Sequence, residues 1–342
     1  MSSKKKSRLV TVLEYLFFLG LGFFLLWISF RKLDLSKVWI DIENADYIWV
    51  LYSLIAVILS HIVRSLRWNM LINSMGFKTR LSSTFYSLMI GYMANTAVPR
   101  MGEFVRCGVL SKKEKIPFNA LFGTVISERL LDMLMLLLII LFVIVFQMNL
   151  VGKYVGDIFS PILRNLSNNV WAITLVAIGI VLFFVLTIWL LYHFRERIKK
   201  LSFYAKMRLF LDGLWDGIKT ILKLKQKFLF IVYTILIWLL YAIMVYFPVK
   251  MLPETAFLNF GDALTLLGIG SLGIVAPVPG GIGAYHFIIK SLLHEVYGIN
   301  AVAAGSFAAI THAGQTLLNL GVGGFSYLMI LLLSKQQKPL NE

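Results

Sequence analysis

Apolar residues run along this chain in long, nearly unbroken blocks. Six of them, roughly 9–30, 47–67, 117–147, 170–193, 228–250 and 300–333, are long enough for a helix to cross a hydrocarbon core about 30 Å thick. They lack the period-2 alternation of membrane β-strands and far exceed the roughly 11 residues of one. Two further blocks, about 82–110 and 262–297, are broken in the middle. The first break reads Asn95-Thr96-Ala97-Val98-Pro99-Arg100-Met101-Gly102-Glu103, the second Ala276-Pro277-Val278-Pro279-Gly280-Gly281-Ile282-Gly283. Lipid offers no partner to a free backbone N–H or C=O, so irregular backbone at that depth must be buried in protein or line a wet cavity. A matched pair of broken segments points to the substrate site of a transporter built from repeats. Each break is expected to be the tip of a re-entrant hairpin. The alternative is a pair of short kinked spans.

Composition agrees. The chain is 59% hydrophobic and 15% charged, with mean hydropathy +0.81. Soluble domains are nearer half apolar and about a quarter charged. The expected class is an all-α, polytopic helical membrane protein. A net charge of +16 would suggest nucleic acid in a soluble protein. Here the basic residues suit cytoplasmic loops and anionic head groups, and no nucleic-acid partner is expected. The single cysteine, Cys107, excludes an intramolecular disulfide and a Cys-based zinc site. The basic start, with Lys4, Lys5, Lys6 and Arg8, leads into an apolar run long enough to span and with no small-residue cleavage site, so it reads as an uncleaved first span.

Charge bias orients the spans. The N-terminal lysines belong inside, and the mixed loop 31–46 suits the outside. Arg64, Arg67, Lys78 and Arg80 precede the first broken segment, and Lys112, Lys113 and Lys115 follow it, so that hairpin enters from the cytoplasm. The strongly basic loop after 193 is inside, and the weakly charged flanks of the second broken segment are outside. Both termini are then cytoplasmic. Each half reads span, span, hairpin, span. Three crossings per half invert the second copy, giving repeats at 1–150 and 170–334 within one membrane domain, 1–342. The basic segment 195–227 between them carries apolar residues at three- and four-residue spacing and is expected to be an amphipathic helix, lying on the inner leaflet or packed on the bundle.

Ionisable residues within membrane segments are functional candidates, since each costs about 2.5–3.5 kcal/mol at mid-helix on insertion scales. Glu128 and Asp132, four apart, share a face of one span, with Arg129 about 100° around the helix. They are candidates for handling a proton or cation or for clamping Arg100 or Arg106; the alternative is a structural ion pair that stitches two helices. Arg64 and Arg67, near the inner end of the second span, either snorkel or grip a lipid phosphate through the guanidinium's two-pronged donor geometry. Arg100, Glu103 and Arg106 belong to the first hairpin, with Arg100 at its tip. The second hairpin is nearly uncharged. There Pro279, Gly280, Gly281 and Gly283 suit close backbone approach to a substrate, and His286, His312 and Gln315 are polar groups nearby. No catalytic, nucleotide or metal motif is present, so no cofactor and no catalytic residue is assigned.

Four motifs occur in order: Arg64-x-x-Arg67-Trp68, Pro99-Arg-x-Gly102-Glu103-x-x-Arg106, Glu128-Arg129-x-x-Asp132 and Pro277-x-Pro279-Gly280-Gly281-x-Gly283. Together they resemble the lysylphosphatidylglycerol synthase transmembrane-region family, the flippase-like membrane domain of the multiple peptide resistance factor. The resemblance implies a domain that binds lipids and moves them across a bacterial or archaeal cell membrane. The sequence ends nine residues past Leu333, so a stand-alone form without the lysyl-transferring domain is expected. Tyr285-His286 stands where many relatives are expected to carry a Glu, which speaks against carboxylate coupling at the second hairpin. The leading expectation is a translocator of an anionic phospholipid or polyprenyl-phosphate lipid, not an enzyme. The competing expectations are a membrane-embedded enzyme using Glu128 and Asp132 as acid and base, and a non-transporting lipid-binding partner of an envelope enzyme. Oligomeric state and energy source are left open by the sequence.

Overall fold

The computed structural model describes residues 8–147, 193, 224–275 and 278–335. The expected span 170–193 (apart from His193), nearly all of segment 195–227, and Ala276 and Pro277 lie outside them. The described residues form helices joined by short turns: α1 (Arg8–Phe30), α2 (Leu35–Asn44), α3 (Tyr47–Ser74), α4 (Leu81–Ala97), α5 (Gly102–Glu114), α6 (Phe118–Phe146), α7 (Lys227–Tyr246), α8 (Phe260–Val275), α9 (Ala284–Ser291) and α10 (Ala301–Lys335). A 3-10 turn, Phe247–Lys250, extends α7, another covers Pro279–Gly281, and a π turn, Leu292–Val296, extends α9.

Four helical segments are long and apolar enough to cross a membrane: Tyr47–Ser74, Phe118–Phe146, Lys227–Lys250 and Ala301–Leu332. A fifth is possible where α1 continues into α2 across a bend of 89°. The protein is an all-α, multi-pass membrane protein with broken helices. The expected spans at 9–30, 47–67, 117–147, 228–250 and 300–333 coincide with α1, α3, α6, α7 and α10. The loop 31–46 holds a helix that charge counting overlooked. Asp34 caps α2 by accepting from the Ser36 N–H, and Val38 and Ile42 turn inward.

Both broken segments fold back on themselves. In the first, Gly91 lies within reach of Gly102 and Arg106, so α5 returns along α4 and does not continue its course. In the second, Gly273 lies against Ala284 and Tyr285, which folds α9 back on α8. The two hairpins open toward opposite ends of the molecule. At one end Val50 of α3 packs with Leu266, Leu292 and Leu293 at the base of the second hairpin. At the other, Trp68 and Ile72 of α3 pack with Cys107 and Leu110 at the base of the first. Val50 and Ile72 are about 33 Å apart along a helix, close to the thickness of a hydrocarbon core. The tips meet between them, where a Cβ on Gly280 would lie 3.5 Å from the Thr96 Cα.

The packing is reciprocal between the halves. α3 lies antiparallel to α7, joined by Ser53 Oγ donating to the Met244 carbonyl (2.6 Å). The first hairpin packs against α10, with Gly323 on Met89 and Met93, and the second against α6, with Gly268 near Ile139 and Ile140. Helix α1 touches both tips. Tyr15 Oη donates to the Ala97 carbonyl (3.1 Å), and Gly22 abuts Ile282 and Gly283.

Candidate functional site

The two hairpins turn by one local device. Val98 and Val278 are extended, a proline follows each, and the next residue is left-handed: Arg100 at φ 62° and Gly280 at φ 58°. Proline fixes φ and has no N–H to donate back to the preceding turn, so the helix stops there. At Gly280 the left-handed residue is strain-free. At Arg100 a side chain is held in a conformation that costs roughly 1–2 kcal/mol. Arg100 lies at the first tip and is exposed there.

Below the first tip the charged residues converge. Arg106 on α5, Arg64 and Arg67 on α3 and Glu128 on α6 are all nearly or wholly inaccessible. Arg106 Nη2 donates to Glu128 Oε2 at 2.7 Å, and the Arg106 guanidinium also lies over the Trp68 ring at 4.7 Å. Trp68 is held in turn by its Nε1 donating to Thr124 Oγ1 (2.8 Å). Asp132, one turn beyond Glu128, accepts from Arg64 Nη2 (2.5 Å) and Arg67 Nη2 (2.7 Å). The other carboxylate oxygen of Glu128 sits between Arg64 Nε (3.7 Å) and Arg67 Nη2 (3.5 Å). Arg129 turns away to Glu103 on α5, at 2.5 Å, with Asp132 at 3.6 Å.

The structure thus brings together seven of the expected site residues: Arg64, Arg67, Glu103, Arg106, Glu128, Arg129 and Asp132. Arg64 and Arg67 turn inward and do not snorkel. The four guanidiniums outnumber the three carboxylates by one. Several groups also lack a hydrogen-bond partner in the protein: the Nε of Arg64, Arg67 and Arg106, Nη1 of Arg106 and Oε1 of Glu128. A buried, paired cluster with one surplus positive charge and spare donors can attract an anion. Two participants gave no local signal. Tyr241 Oη accepts from Arg64 Nη1 (2.8 Å), and Thr234 Oγ1 from Arg67 Nη1 (3.4 Å), both from α7 in the other half of the chain.

Pro279, Gly280, Gly281 and Gly283 stand apart from this cluster, at the second tip. Their ties are to backbone and histidine. His312 Nε2 on α10 donates to the Gly280 carbonyl (2.9 Å), and the Gly283 N–H donates to His286 Nδ1 (3.3 Å). The two imidazoles lie 4.6 Å apart. Gly283 sits where a Cβ would fall 2.0 Å from the Gly22 carbonyl oxygen, so α1 requires glycine there. Gln315 enters neither set of ties. Among the described residues no three His, Cys, Asp or Glu side chains are grouped as metal ligands.

Broken helices folded back within a multi-pass bundle, close to buried charges, mark a membrane protein built around an internal site. The chain belongs to the family described as the lysylphosphatidylglycerol synthase TM region, whose model matches residues 12–323. That is a transmembrane region, not a catalytic synthase domain. It is similar to a UPF0104 membrane protein, MJ1595, of Methanocaldococcus jannaschii, 29% identical over 130 residues. That match covers 37% of this chain and 36% of the relative, so the chain spans about a third of the length of the curated relative it matches. No solved structure matches.

Proposed function

We propose that this protein moves an anionic phospholipid or polyprenyl-phosphate lipid across the inner membrane of a bacterium or archaeon. The carrying observation is the meeting of two oppositely opening hairpins, the first of which overlies a buried arginine cluster with surplus charge. The lipid phosphate sits near mid-membrane, held by Arg100 with Arg64 or Arg106, and the backbone at 280–283 faces it. Reciprocal packing of α3 with α7, and of each hairpin with a span of the other half, supports two inverted repeats at 1–150 and 170–334 with both termini cytoplasmic. Alternating exposure then comes from rocking one repeat against the other. Glu128 and Asp132 are committed to arginines, which favours an anchoring role for them over acid–base chemistry.

The test is reconstitution in liposomes with a leaflet-specific assay across several anionic lipids, followed by mass spectrometry of the same lipids. An unmodified lipid that changes leaflet is expected. A chemically altered lipid would establish an enzyme instead, and neither change would leave a lipid-binding scaffold. Cysteine labelling of 31–46 and 111–115 is expected to place them on opposite sides of the membrane.

A further inference from the structure

His286 of the second hairpin and His312 of α10 stand outside the charge cluster, and a groove of about 600 Å³ lies beside them between α1, α9 and α10. Phe23, Trp27 and Phe30 of α1 line it opposite Ala309 and Ala313 of α10, and His286 lies between. Phe23 and Trp27 are 57% and 56% exposed on the flank of an apolar helix, so the groove opens toward lipid. His286 is 7% exposed. Because its Nδ1 accepts from Gly283, the ring proton is on Nε2, which meets no acceptor among the described residues. The neighbouring His312 has its own Nε2–H committed to Gly280.

These features restrict the occupant. No carboxylate, lysine or arginine lines the groove, so a phosphate inside it would lose water and gain no cation. A plain hydrocarbon, such as an isoprenoid chain, would leave the His286 donor unmatched. An acyl chain with its ester carbonyl satisfies both conditions. In a glycerophospholipid that carbonyl lies close to the phosphate, and Gly280, at the proposed phosphate position, is tied to the groove through His312.

We infer that the groove between α1 and α10 binds an ester-linked acyl chain of a glycerophospholipid, with His286 Nε2–H donating to the ester carbonyl. This rests on the lipid-transport reading for the position of the phosphate and for calling that lipid the substrate, and it selects a diacyl phospholipid over a polyprenyl phosphate.

Native mass spectrometry of the protein in alkyl maltoside tests it with three added lipids: a diester phosphatidylglycerol, its diether counterpart with matched chains, and a polyprenyl phosphate. The parent is expected to retain the diester about fivefold better than the diether, the worth of one neutral hydrogen bond. His286→Asn keeps an acceptor for the Gly283 N–H but loses the Nε2 donor, and should abolish that preference. Ala313→Phe fills the groove from α10 without touching the hairpin. It should lower retention of both phosphatidylglycerols more than that of polyprenyl phosphate. Equal retention of diester and diether by the parent overturns the assignment, as does a preference that survives His286→Asn. If His286→Asn does not fold, Ala313→Phe decides: unchanged retention of both phosphatidylglycerols overturns the proposal. Failure of the transport reading would look different, with no leaflet change in liposomes while the ester preference persists.

Discussion

The two hairpins share a turn and little else. Both pass from an extended valine through proline into a left-handed residue. The first is fastened by ion pairs, Arg106 to Glu128 and Glu103 to Arg129. The second is fastened by close backbone contact with α1 and by histidines on glycine backbone. The same backbone path can therefore be secured electrostatically or sterically. On the proposed function, the charged side suits a head group and the neutral side suits the apolar part of the same lipid.

The comparison can be broken most forcefully at Glu128. Glu128→Gln leaves Arg106 buried without its counter-charge, and removing one partner of a buried pair costs about 3–5 kcal/mol. Thermal unfolding in detergent should show that loss, and adding Arg106→Gln should recover part of it. A Glu128→Gln protein as stable as the parent would mean the first hairpin is not fastened by charge. On the steric side, Gly283→Ala drives a Cβ into the Gly22 carbonyl and is expected to cost roughly 1–3 kcal/mol, as overpacking does. A cysteine pair across the α1 contact would report the separation.

Arg100 sharpens the contrast. Arg100→Gly relieves the left-handed side chain and should stabilise the fold by about 1 kcal/mol. The same change should weaken binding of anionic lipid about tenfold or more, as the loss of a charged hydrogen bond would. Arg100→Lys should weaken it too, since an ammonium cannot make the two-pronged contact. If Arg100→Ala binds and moves anionic lipid like the parent, the phosphate assignment is wrong. The smallest effect belongs to Glu103→Gln. Its partner Arg129 is 44% exposed and keeps Asp132 nearby, so a change within about 1 kcal/mol is expected.

Spans and breaks were legible in the sequence because hydropathy and punctuation reflect the cost of backbone in lipid, which is local. The acids and arginines were legible for the same reason. Arg106 stood among the expected partners of these acids, but the pairing of Arg64 and Arg67 with Asp132 was not legible, because it depends on how α3 and α6 are rotated. Tyr241 and Thr234 were invisible, since nothing marks them among the apolar residues of α7. Helix α2 had a readable signal in Asp34 followed by apolar residues at 35, 38, 39 and 42, obscured by reading 31–46 for charge alone. The shared turn was readable too, in Val-Pro at 98–99 and again at 278–279.

Helix α1 acts as a ruler. Tyr15 meets the end of α4 and Gly22 meets the second tip, seven positions further along one rigid rod. That fixes the two contacts about 10 Å apart along its axis. The spacing between the jaws is thus written into the count of residues in a helix that takes no part in the charge cluster. Inserting one residue between 15 and 22 would advance one contact by about 1.5 Å and swing it by about 100°. The jaws would lose their common gauge while every ion pair stayed intact.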